Sequence, residues 1–347
     1  MDLSTAIRHV MERGDLSQDQ AQAVLSEMVS GNATDAQIGA FLVAMNMKGP
    51  TVDEITGFWN SLMEHASPFP AHGRHEPLLD VVGTGGDGSH SINVSTTASL
   101  VVAGTGVSVA KHGNRAASSR SGSADVLREL GANLDMSLDQ AGACLDEVGF
   151  VFLFAPHCHP AMRHVGKARM ELGIRSLFNL IGPLSNPAPV TNVLMGVYSP
   201  DLSIELARML QRVGKQAAFV VHGAGGMDEL SLAGPNHIVH LHNGRIQEMT
   251  VDAVELGLSR SGLDEVKGGD PADNAGYTRG ILAGEVKGPM RDVVVLNAAA
   301  ALATEDGDIG AHLAEAGESI DSGKALDTLE RFVAFTREHV SSTTYRH

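Results

Sequence analysis

The sequence DVVGTGGDGSHSINVSTTASLVVAGTGVSVAKHGNRAASSRSGSAD, residues 80–125, decides the fold of this chain. It is entered by an apolar run at residues 78–82, typical of a short buried strand, which breaks into the glycine-rich residues 83–88. Four glycines in these six residues allow backbone angles that other residues avoid, so consecutive N–H groups can point into one concavity. Residues 93–96 then predict the start of a helix running to about Ala103, and such a start favours phosphate binding.

A second strand is predicted at residues 107–110, and it ends in the cationic residues 111–115. A hydroxyl-rich turn at residues 118–123 follows and opens another helix. Two successive strands therefore end in a loop that feeds a helix, and in an open α/β sheet ligands bind at that edge. The sequence predicts a ligand with two separated phosphate groups. Neither loop has the spacing of a P-loop or of a dinucleotide fingerprint, which disfavours a nicotinamide cofactor.

Composition narrows the class of protein. The chain has 347 residues, with 43% hydrophobic and 4% aromatic residues, and its net charge of −16 disfavours a nucleic-acid partner. The two cysteines, Cys144 and Cys158, are too few for a disulfide framework, which predicts a reducing, cytoplasmic location. No apolar signal core and no membrane-spanning run is found, so no membrane association is expected.

Residues 1–66 predict four short helices. Three capping boxes, each a Ser or Thr followed three places later by Gln or Glu, begin at Ser17, Thr34 and Thr51. Gly31 and Gly49 are predicted stops. We therefore predict an N-terminal helical domain over residues 1–70, with a packing or dimerisation role.

Beyond a proline-containing linker at residues 67–77, short β runs alternate with helices, which indicates a parallel sheet. The predicted strands are residues 78–82, 107–110, 150–154, 193–198 and 217–221. Residues 238–251 predict a hairpin that turns at Asn243-Gly244, and residues 289–302 and 325–333 predict closing helices. The expected fold class is α/β: a small N-terminal helical domain plus a large α/β domain, residues 74–347, with a mostly parallel central sheet flanked by helices.

Several side chains could perform chemistry at the strand ends. Asp228 and Glu229 follow a predicted strand, and paired carboxylates facing a phosphate-binding loop are suitable ligands for Mg²⁺. Asp87 either forms an Asx turn or helps to hold a pyrophosphate–metal complex or the ribose. Ser95 and Thr96 cap a helix, bind phosphate, or do both.

The second loop and its surroundings offer further candidates. Lys111, at a predicted strand end, favours phosphate contact, whereas His112 is either a loop histidine or part of an acceptor pocket. Asn114 can both donate and accept, which suits a substrate amine or carboxylate. Residues 157–159, His-Cys-His, predict a loop at the mouth of the site rather than a metal centre, because no matching ligand pair is found elsewhere. No nucleophile motif occurs, which favours a reaction without a covalent intermediate.

The motifs GTGGDG, NVSTTAS, KHGNRAASSRSGSADVLRELG, FLFAPHCHPAMRHV, FNLIGPLSNPA and VHGAGGMDELS resemble, in order, those of the anthranilate phosphoribosyltransferases of tryptophan biosynthesis. The resemblance implies a pentosyltransferase that moves phosphoribose from 5-phospho-α-ribose 1-diphosphate (PRPP) to the amine of anthranilate and releases pyrophosphate. It also implies two Mg²⁺ ions per subunit, a homodimer formed through the helical domain together with helices from about residues 160–190, and an association with anthranilate synthase.

The resemblance assigns site residues as well. It implies PRPP binding by Gly83, Gly86, Asp87, Ser91, Asn93, Val94, Ser95, Thr96, Lys111, His112, Gly113, Asn114, Arg115, Ala116, Ala117, Ser118, Ser119 and Ser123. It implies anthranilate binding by Gly83, Asn114 and Arg169, and metal binding by Ser95, Asp228 and Glu229. Arg163, Arg169 and Arg175 are all predicted on the helix after residue 159, and Arg169 would pair with the anthranilate carboxylate. Residues 166–168, Gly-Lys-Ala, replace a Pro-Val of relatives, which leaves the orientation of Arg169 open.

Two alternatives have different functions. A pyrimidine nucleoside phosphorylase shares the expected architecture, but GTGGDG together with KHGN fits it poorly. A non-enzymatic relative that binds nucleic acid would need a basic groove and damaged phosphate and metal motifs, and neither is found in this acidic chain.

Overall fold

A computed structural model of the chain describes residues 1–70, 75–116 and 120–339. Three residues of the expected PRPP site, Ala117, Ser118 and Ser119, lie outside the described residues, as does part of the predicted linker. All other expected site residues lie within them.

The N-terminal part consists of four helices, α1 (Leu3–Met11), α2 (Gln18–Val29), α3 (Asp35–Lys48) and α4 (Val52–Glu64). The three predicted capping boxes are confirmed, because Ser17, Thr34 and Thr51 each accept the backbone N–H three residues on and are capped in return. Gly31 and Gly49 have φ of 80° and 82°, which confirms them as stops. Each helix buries one apolar stripe against the others.

One seven-stranded sheet forms the centre of the rest of the described chain. Its strands are β1 (Leu78–Gly83), β2 (Ser108–Gly113), β3 (Phe150–Phe154), β4 (Asn192–Gly196), β5 (Ala217–His222), β6 (Pro235–His242) and β7 (Arg245–Asp252). The order is β3-β2-β1-β4-β5-β6-β7, with β1 to β5 parallel and β6 and β7 antiparallel. The predicted parallel sheet and its edge hairpin are confirmed.

Two of the predicted parallel strands end more than one residue away from the prediction. β2 continues to Gly113 instead of ending at Ala110, because Lys111 and His112 are buried and pair with Phe152 and Leu153 of β3. β4 ends at Gly196 instead of residue 198. The backbone N–H of Tyr198 leaves the strand and donates to Thr84 Oγ1 at 3.2 Å.

Helices surround this sheet. They are α5 (Val94–Thr105), α6 (Ser123–Glu129), α7 (Leu138–Val148), α8 (Ala155–Cys158), α9 (Arg163–Leu172), α10 (Leu177–Leu184), α11 (Ser203–Arg212), α12 (Pro271–Leu282), α13 (Pro289–Leu302), α14 (Ile309–Asp321) and α15 (Lys324–His339). Three short 3₁₀ helices are Pro160–Met162, Pro200–Leu202 and Leu263–Val266. The helix α5 is buried nearly all round, against β1 to β3 on one side and α13 to α15 on the other. Within the described ranges, no helix has both the length and the apolarity that crossing a bilayer requires.

Three later helices pack on the N-terminal part, among them α11, which contacts α4. α9 packs on α2 and α3, where Lys167 pairs with Asp35 at 2.7 Å, and α10 packs on α3 and α4. The indole Nε1 of Trp59 donates to the carbonyl of Leu184 at 2.8 Å. The prediction that Arg175 lies on the helix with Arg169 is wrong, because α9 ends at Leu172.

The strand order determines where loops can meet. The chain winds from β1 outward to β2 and β3, and then returns to add β4 and β5 on the other side of β1. The loops that leave the carboxyl ends of β1, β2 and β5 therefore lie at one edge of the sheet, beside the point where the winding direction changes. Open α/β sheets bind their ligands at this position.

The buried carboxylate of Glu54 provides a test of the helical part. It accepts from the N–H groups of Leu16 at 2.9 Å and Thr51 at 2.8 Å, and pairs with Lys48 at 2.7 Å. Glu54→Ala leaves these partners uncompensated, and we expect a loss of about 3–5 kcal/mol in unfolding free energy. Fluorescence of Trp59, the single tryptophan, reports unfolding in urea.

The matched control is Asp53→Ala on the same helix. Its exposed carboxylate pairs with Arg212, and we expect a loss of less than about 1 kcal/mol. Equal losses in the two variants would contradict the role given to Glu54.

Candidate active site

The glycine loop, residues 83–88, leaves the end of β1 in a conformation that few other residues could adopt. Gly85, Gly86 and Gly88 have φ of 68°, 72° and 79°. No acceptor in the described part of the chain receives the N–H groups of Gly86, Asp87 and Gly88. Unpaired N–H groups in such a loop form an anion-binding concavity.

The loop after β5 brings Asp228 and Glu229, the carboxylate pair, against this glycine loop. Asp228 Oδ2 accepts from the N–H of Gly85 at 2.6 Å, and the N–H of Asp228 donates to Asp87 Oδ2 at 3.2 Å. Glu229 Oε1 accepts from the N–H of Ser95 at 3.2 Å. The predicted metal ligands Ser95, Asp228 and Glu229 therefore lie together in the structure.

Three glycines make this close approach possible. A Cβ at Gly83 would lie 2.6 Å from the Asp228 side chain, and a Cβ at Gly196 would lie 1.5 Å from the Asp228 carbonyl oxygen. A Cβ at Gly223 would lie 2.0 Å from the carbonyl oxygen of Glu229. Any side chain at these positions would displace the carboxylate pair from the sheet edge.

Full ionisation of the carboxylate pair is unfavourable at this buried position. Burial, and then the neighbouring Asp87, raises the pKa of Asp228 to about 7. Burial, and then Asp228, raises the pKa of Glu229 to about 8. A divalent cation would remove this repulsion, and carboxylate and hydroxyl oxygens are the ligands that Mg²⁺ prefers. The residues present therefore fit a magnesium ion.

The start of α5 presents further donors to the same edge. Asn93 occupies the N-cap position without capping through its side chain, so the expectation that Ser95 or Thr96 caps the helix is wrong. The buried Thr96 Oγ1 has no hydrogen-bond partner among the described residues. Asp87 Oδ1 accepts from the N–H of Ser89 at 3.1 Å, which confirms the Asx turn. The N–H groups of Val94, Ser95 and Thr97 are already accepted by Ile92, Glu229 and Asn93. Among the described residues, Thr96 is therefore the one in the first helical turn that can still donate to an anion.

Lys111 is not an exposed cation at a strand end. Its side chain is 2% exposed, and Nζ donates to the carbonyl of Val81. Burial lowers the pKa of its ammonium, whereas the charges of Asp80, Glu229 and Asp228 oppose that shift. Burial raises the pKa of Asp80 itself to about 6. Lys111 thus lies behind the carboxylate pair, and its contact with a phosphate stays a prediction.

His112 is a buried strand residue, so the alternative of a loop histidine is wrong. Its backbone N–H donates to Asp80 Oδ1 at 3.2 Å, and the centre of its ring lies 5.3 Å from the centre of the His159 ring. Burial, and then His159, lowers the pKa of His112 to about 3, which keeps the imidazole neutral. Its Nε2 is buried without a partner among the described residues, and a role in an acceptor pocket stays a prediction.

The side chains of residues 157–159 point to different partners. His159 Nε2 lies 2.6 Å from the carbonyl oxygen of Ser185, Cys158 is buried, and His157 lies against the ring of Phe154. Across residues 1–70, 75–116 and 120–339, no three His, Cys, Asp or Glu side chains form a group that could hold a metal by themselves.

The loop after β2 reaches the start of α5 through Asn93. Asn93 Nδ2 donates to the carbonyl of Ser121 at 3.4 Å, and its Oδ1 accepts from Asn274 Nδ2 at 2.8 Å. The N–H groups of Ala116 and Gly122 both donate to Asp125 Oδ2 at 3.0 Å. Asn274 and Asp125 thus shape the site, and the sequence analysis missed both; the only signal was the position of Asp125 in the first turn of a predicted helix.

The remaining expected residues surround this arrangement at its rim. Asn114 is exposed, and its Oδ1 accepts from the N–H of Arg115 at 2.8 Å. Ser123 is the first residue of α6, and Ser91 forms an isolated bridge with Lys267. Gly113 ends β2, Val94 begins α5, and both belong to the same sheet edge.

Arg169 lies on α9, far from Asp228 and Glu229 in the sequence. Its guanidinium lies 4.7 Å over the ring of Phe178, and burial lowers its pKa. It forms no ion pair with any residue that the structure describes. An unpaired, partly buried guanidinium suits a planar carboxylate.

The two structural parts each match a family model. Residues 4–66 match the glycosyl transferase family, helical bundle domain, and residues 75–326 match the glycosyl transferase family, a/b domain. These matches identify the chain as a member of this glycosyl transferase family.

Comparison with similar proteins identifies the family within the glycosyl transferases more closely. The chain is 47% identical over 336 residues to the anthranilate phosphoribosyltransferase of Symbiobacterium thermophilum, covering 96% of this chain and 98% of that protein. The crystal structure of the Thermus thermophilus anthranilate phosphoribosyltransferase has a TM-score of 0.89 and 42% identity, covering 96% and 99% of the two chains. The Saccharomyces cerevisiae enzyme in complex with PRPP and Mg has a TM-score of 0.89 and 28% identity, covering 97% and 98%. The chain belongs to the anthranilate phosphoribosyltransferase family.

The raised pKa of Asp228 predicts how stability depends on pH without divalent ions. The unfolded carboxyl ionises near its ordinary pKa of 3.8, whereas the folded one ionises at about 7. Stability is therefore lost as pH rises between these values. Asp228→Asn removes that loss, so its unfolding free energy should rise relative to wild type by about 1 kcal/mol per pH unit between pH 5 and 6.5, and by less as pH approaches 7.

The measurement is a set of denaturant unfolding curves with a chelator at each pH. Exposed Asp201→Asn is the control, because it should follow wild type throughout. Parallel pH dependences for Asp228→Asn and wild type would contradict the raised pKa.

Proposed function

We propose that this protein transfers phosphoribose from PRPP to the amine of anthranilate, giving N-(5-phosphoribosyl)anthranilate and pyrophosphate. The observation that carries the proposal is the contact between the glycine loop and the carboxylate pair at the carboxyl edge of β1 and β5. This contact places unpaired N–H groups, which can bind phosphate oxygens, beside carboxylate oxygens, which can bind magnesium. The relatives named above carry the same activity in their names.

The donor would occupy the cleft between the glycine loop, the start of α5 and the loop after β2. The N–H groups of Gly86, Asp87, Gly88 and Thr96 have no acceptor among the described residues and are available to the donor phosphates. Such donors stabilise charge where it develops on the departing pyrophosphate, at no cost in reorganisation. The residues that the resemblance assigns to PRPP would bind the donor in this cleft.

Ser95, Asp228 and Glu229 would hold magnesium, two ions per subunit. Support comes from the raised pKa values of both acids and from the PRPP and Mg complex of the Saccharomyces cerevisiae relative. Magnesium supplies neutralisation of the pyrophosphate charge when it is bound. The backbone N–H groups of Gly85 and Ser95 orient the two carboxylates before it binds.

The acceptor side would consist of Gly83, Asn114 and Arg169. The guanidinium of Arg169 would pair with the anthranilate carboxylate and place the amine toward the ribose. An aromatic amine is unprotonated at neutral pH, so it needs placement rather than a general base. No covalent intermediate is required, and burial raises the pKa of Cys158 to about 12, which leaves this thiol unreactive.

We also propose a homodimer formed through the helical part. Support comes from methionines exposed on it and on α9, the helix that packs against it: Met11 is 69%, Met47 73% and Met170 78% exposed. An association with anthranilate synthase and a cytoplasmic location rest on the sequence alone and stay predictions.

The direct test is the loss of anthranilate fluorescence with purified protein, PRPP and Mg²⁺. We expect loss only when all three are present, and no phosphorolysis of thymidine. Thymidine phosphorolysis without anthranilate consumption would instead establish the nucleoside phosphorylase.

The metal assignment predicts the effect of neutralising the carboxylate pair. Asp228→Asn combined with Glu229→Gln should lower kcat by about 100-fold or more. The reason is that magnesium, which would neutralise the pyrophosphate charge, loses its carboxylate ligands. The remaining activity should respond weakly to Mg²⁺ concentration. An unchanged Mg²⁺ titration curve would refute the assignment, and circular dichroism checks the fold of the variant.

The acceptor assignment predicts the effect of removing the Arg169 guanidinium. Arg169→Ala should raise the anthranilate KM by about 10–100-fold, the range for a lost charge-assisted pair. The KM for PRPP should change by less than about twofold. Lys167→Ala removes an exposed cation from the same helix and should leave both constants unchanged. A selective effect of Arg169→Ala on the PRPP KM would show that Arg169 belongs to the donor side.

A further inference from the structure

Arg175 reaches from the helix connection at residues 173–176 to the glycine loop. Its Nη2 donates to the carbonyl of Gly86, and its Cζ lies 4.3 Å from the centre of the Tyr198 ring. It pairs with no acidic side chain in the described part of the chain. The guanidinium is thus held by a peptide carbonyl and an aromatic face, and not by a salt bridge.

The contact depends on the glycine at position 86. Gly86 has φ of 72°, and an added Cβ would lie 3.0 Å from Arg175 Nε. The guanidinium therefore lies directly against the backbone of the loop, where another residue would carry a side chain. Tyr198 is held beside it, because its N–H donates to Thr84 Oγ1 at 3.2 Å.

The geometry of the peptide group connects this contact with the donor site. The peptide between Gly86 and Asp87 is trans, so its C=O and N–H point in opposite directions. With the Gly86 carbonyl held by Arg175, the Asp87 N–H points away from Arg175, and no described residue accepts from it. A charged donor on the carbonyl also polarises the peptide and strengthens its N–H as a donor.

We propose that Arg175 is a positioning residue for the donor: by holding the Gly86 carbonyl, it orients the Asp87 N–H toward a donor phosphate. Arg175 acts through the peptide and does not contact the phosphate itself. The inference rests on the proposed function and adds a residue that no motif assigns to it. Arg169 lies six residues earlier in the chain, so one short segment joins the acceptor and donor sides.

The first test is a kinetic comparison of Arg175→Met with wild type. Losing one charged hydrogen bond should raise the PRPP KM by about tenfold, with the anthranilate KM changed by less than about twofold. Arg175→Lys retains a charged donor and should recover part of the loss. Arg208→Met removes an exposed arginine from α11, which pairs with Glu205, and should behave as wild type.

A double-mutant cycle with Gly86→Ala separates positioning from direct phosphate contact. Gly86→Ala forces a Cβ against Arg175, so it should impair PRPP binding less in the Arg175→Met background than in wild type. Effects that multiply independently would mean that Arg175 contacts the phosphate, and would overturn the proposal. Thermal unfolding confirms that each variant is folded, and Arg175→Lys is used where Arg175→Met is not.

The outcomes also separate this inference from the proposed function. If wild type consumes anthranilate and Arg175→Met has an unchanged PRPP KM, only the positioning role of Arg175 fails. If wild type consumes no anthranilate with PRPP and Mg²⁺, the proposed function itself fails.

Discussion

The rest of the structure depends on two adjacent buried carboxylates, Asp228 and Glu229, held beside a glycine loop at the carboxyl edge of the sheet. Burying like charges together is unfavourable, and the raised pKa values of both acids show that the protein does not compensate it alone. Backbone N–H groups orient both acids, and Lys111 lies behind them. In the proposed function, a cation and a phosphorylated ligand would complete this unfavourable arrangement.

This constraint explains why glycine occurs where β1, β4 and β5 end. At Gly83, Gly196 and Gly223, a Cβ would overlap the atoms of the carboxylate pair. The parallel strand order brings these ends together, so the site forms only when the sheet has this order. Replacing any of these glycines would move the acids.

Most helices, the mostly parallel sheet and the position of the paired acids could be predicted from the sequence, because they depend on local patterns. Capping boxes begin helices, apolar runs alternate with helices, and paired acids follow a strand at the expected edge. Some of the errors concern side chains whose partners are distant in sequence. Lys111 is buried because Asp80, on the neighbouring strand, compensates its charge, and the orientation of Arg175 depends on Gly86 and Tyr198. No local pattern encodes those contacts.

The central claim is that the glycine loop and the carboxylate pair bind a diphosphorylated sugar together with magnesium. Titration calorimetry of the purified protein with PRPP, in the absence of anthranilate, tests it most directly. The account predicts saturable binding that is tighter by about tenfold or more with Mg²⁺ than with a chelator, because the cation removes the repulsion between the acids and the phosphates. Equal affinity under the two conditions, or no binding heat in either, would contradict it.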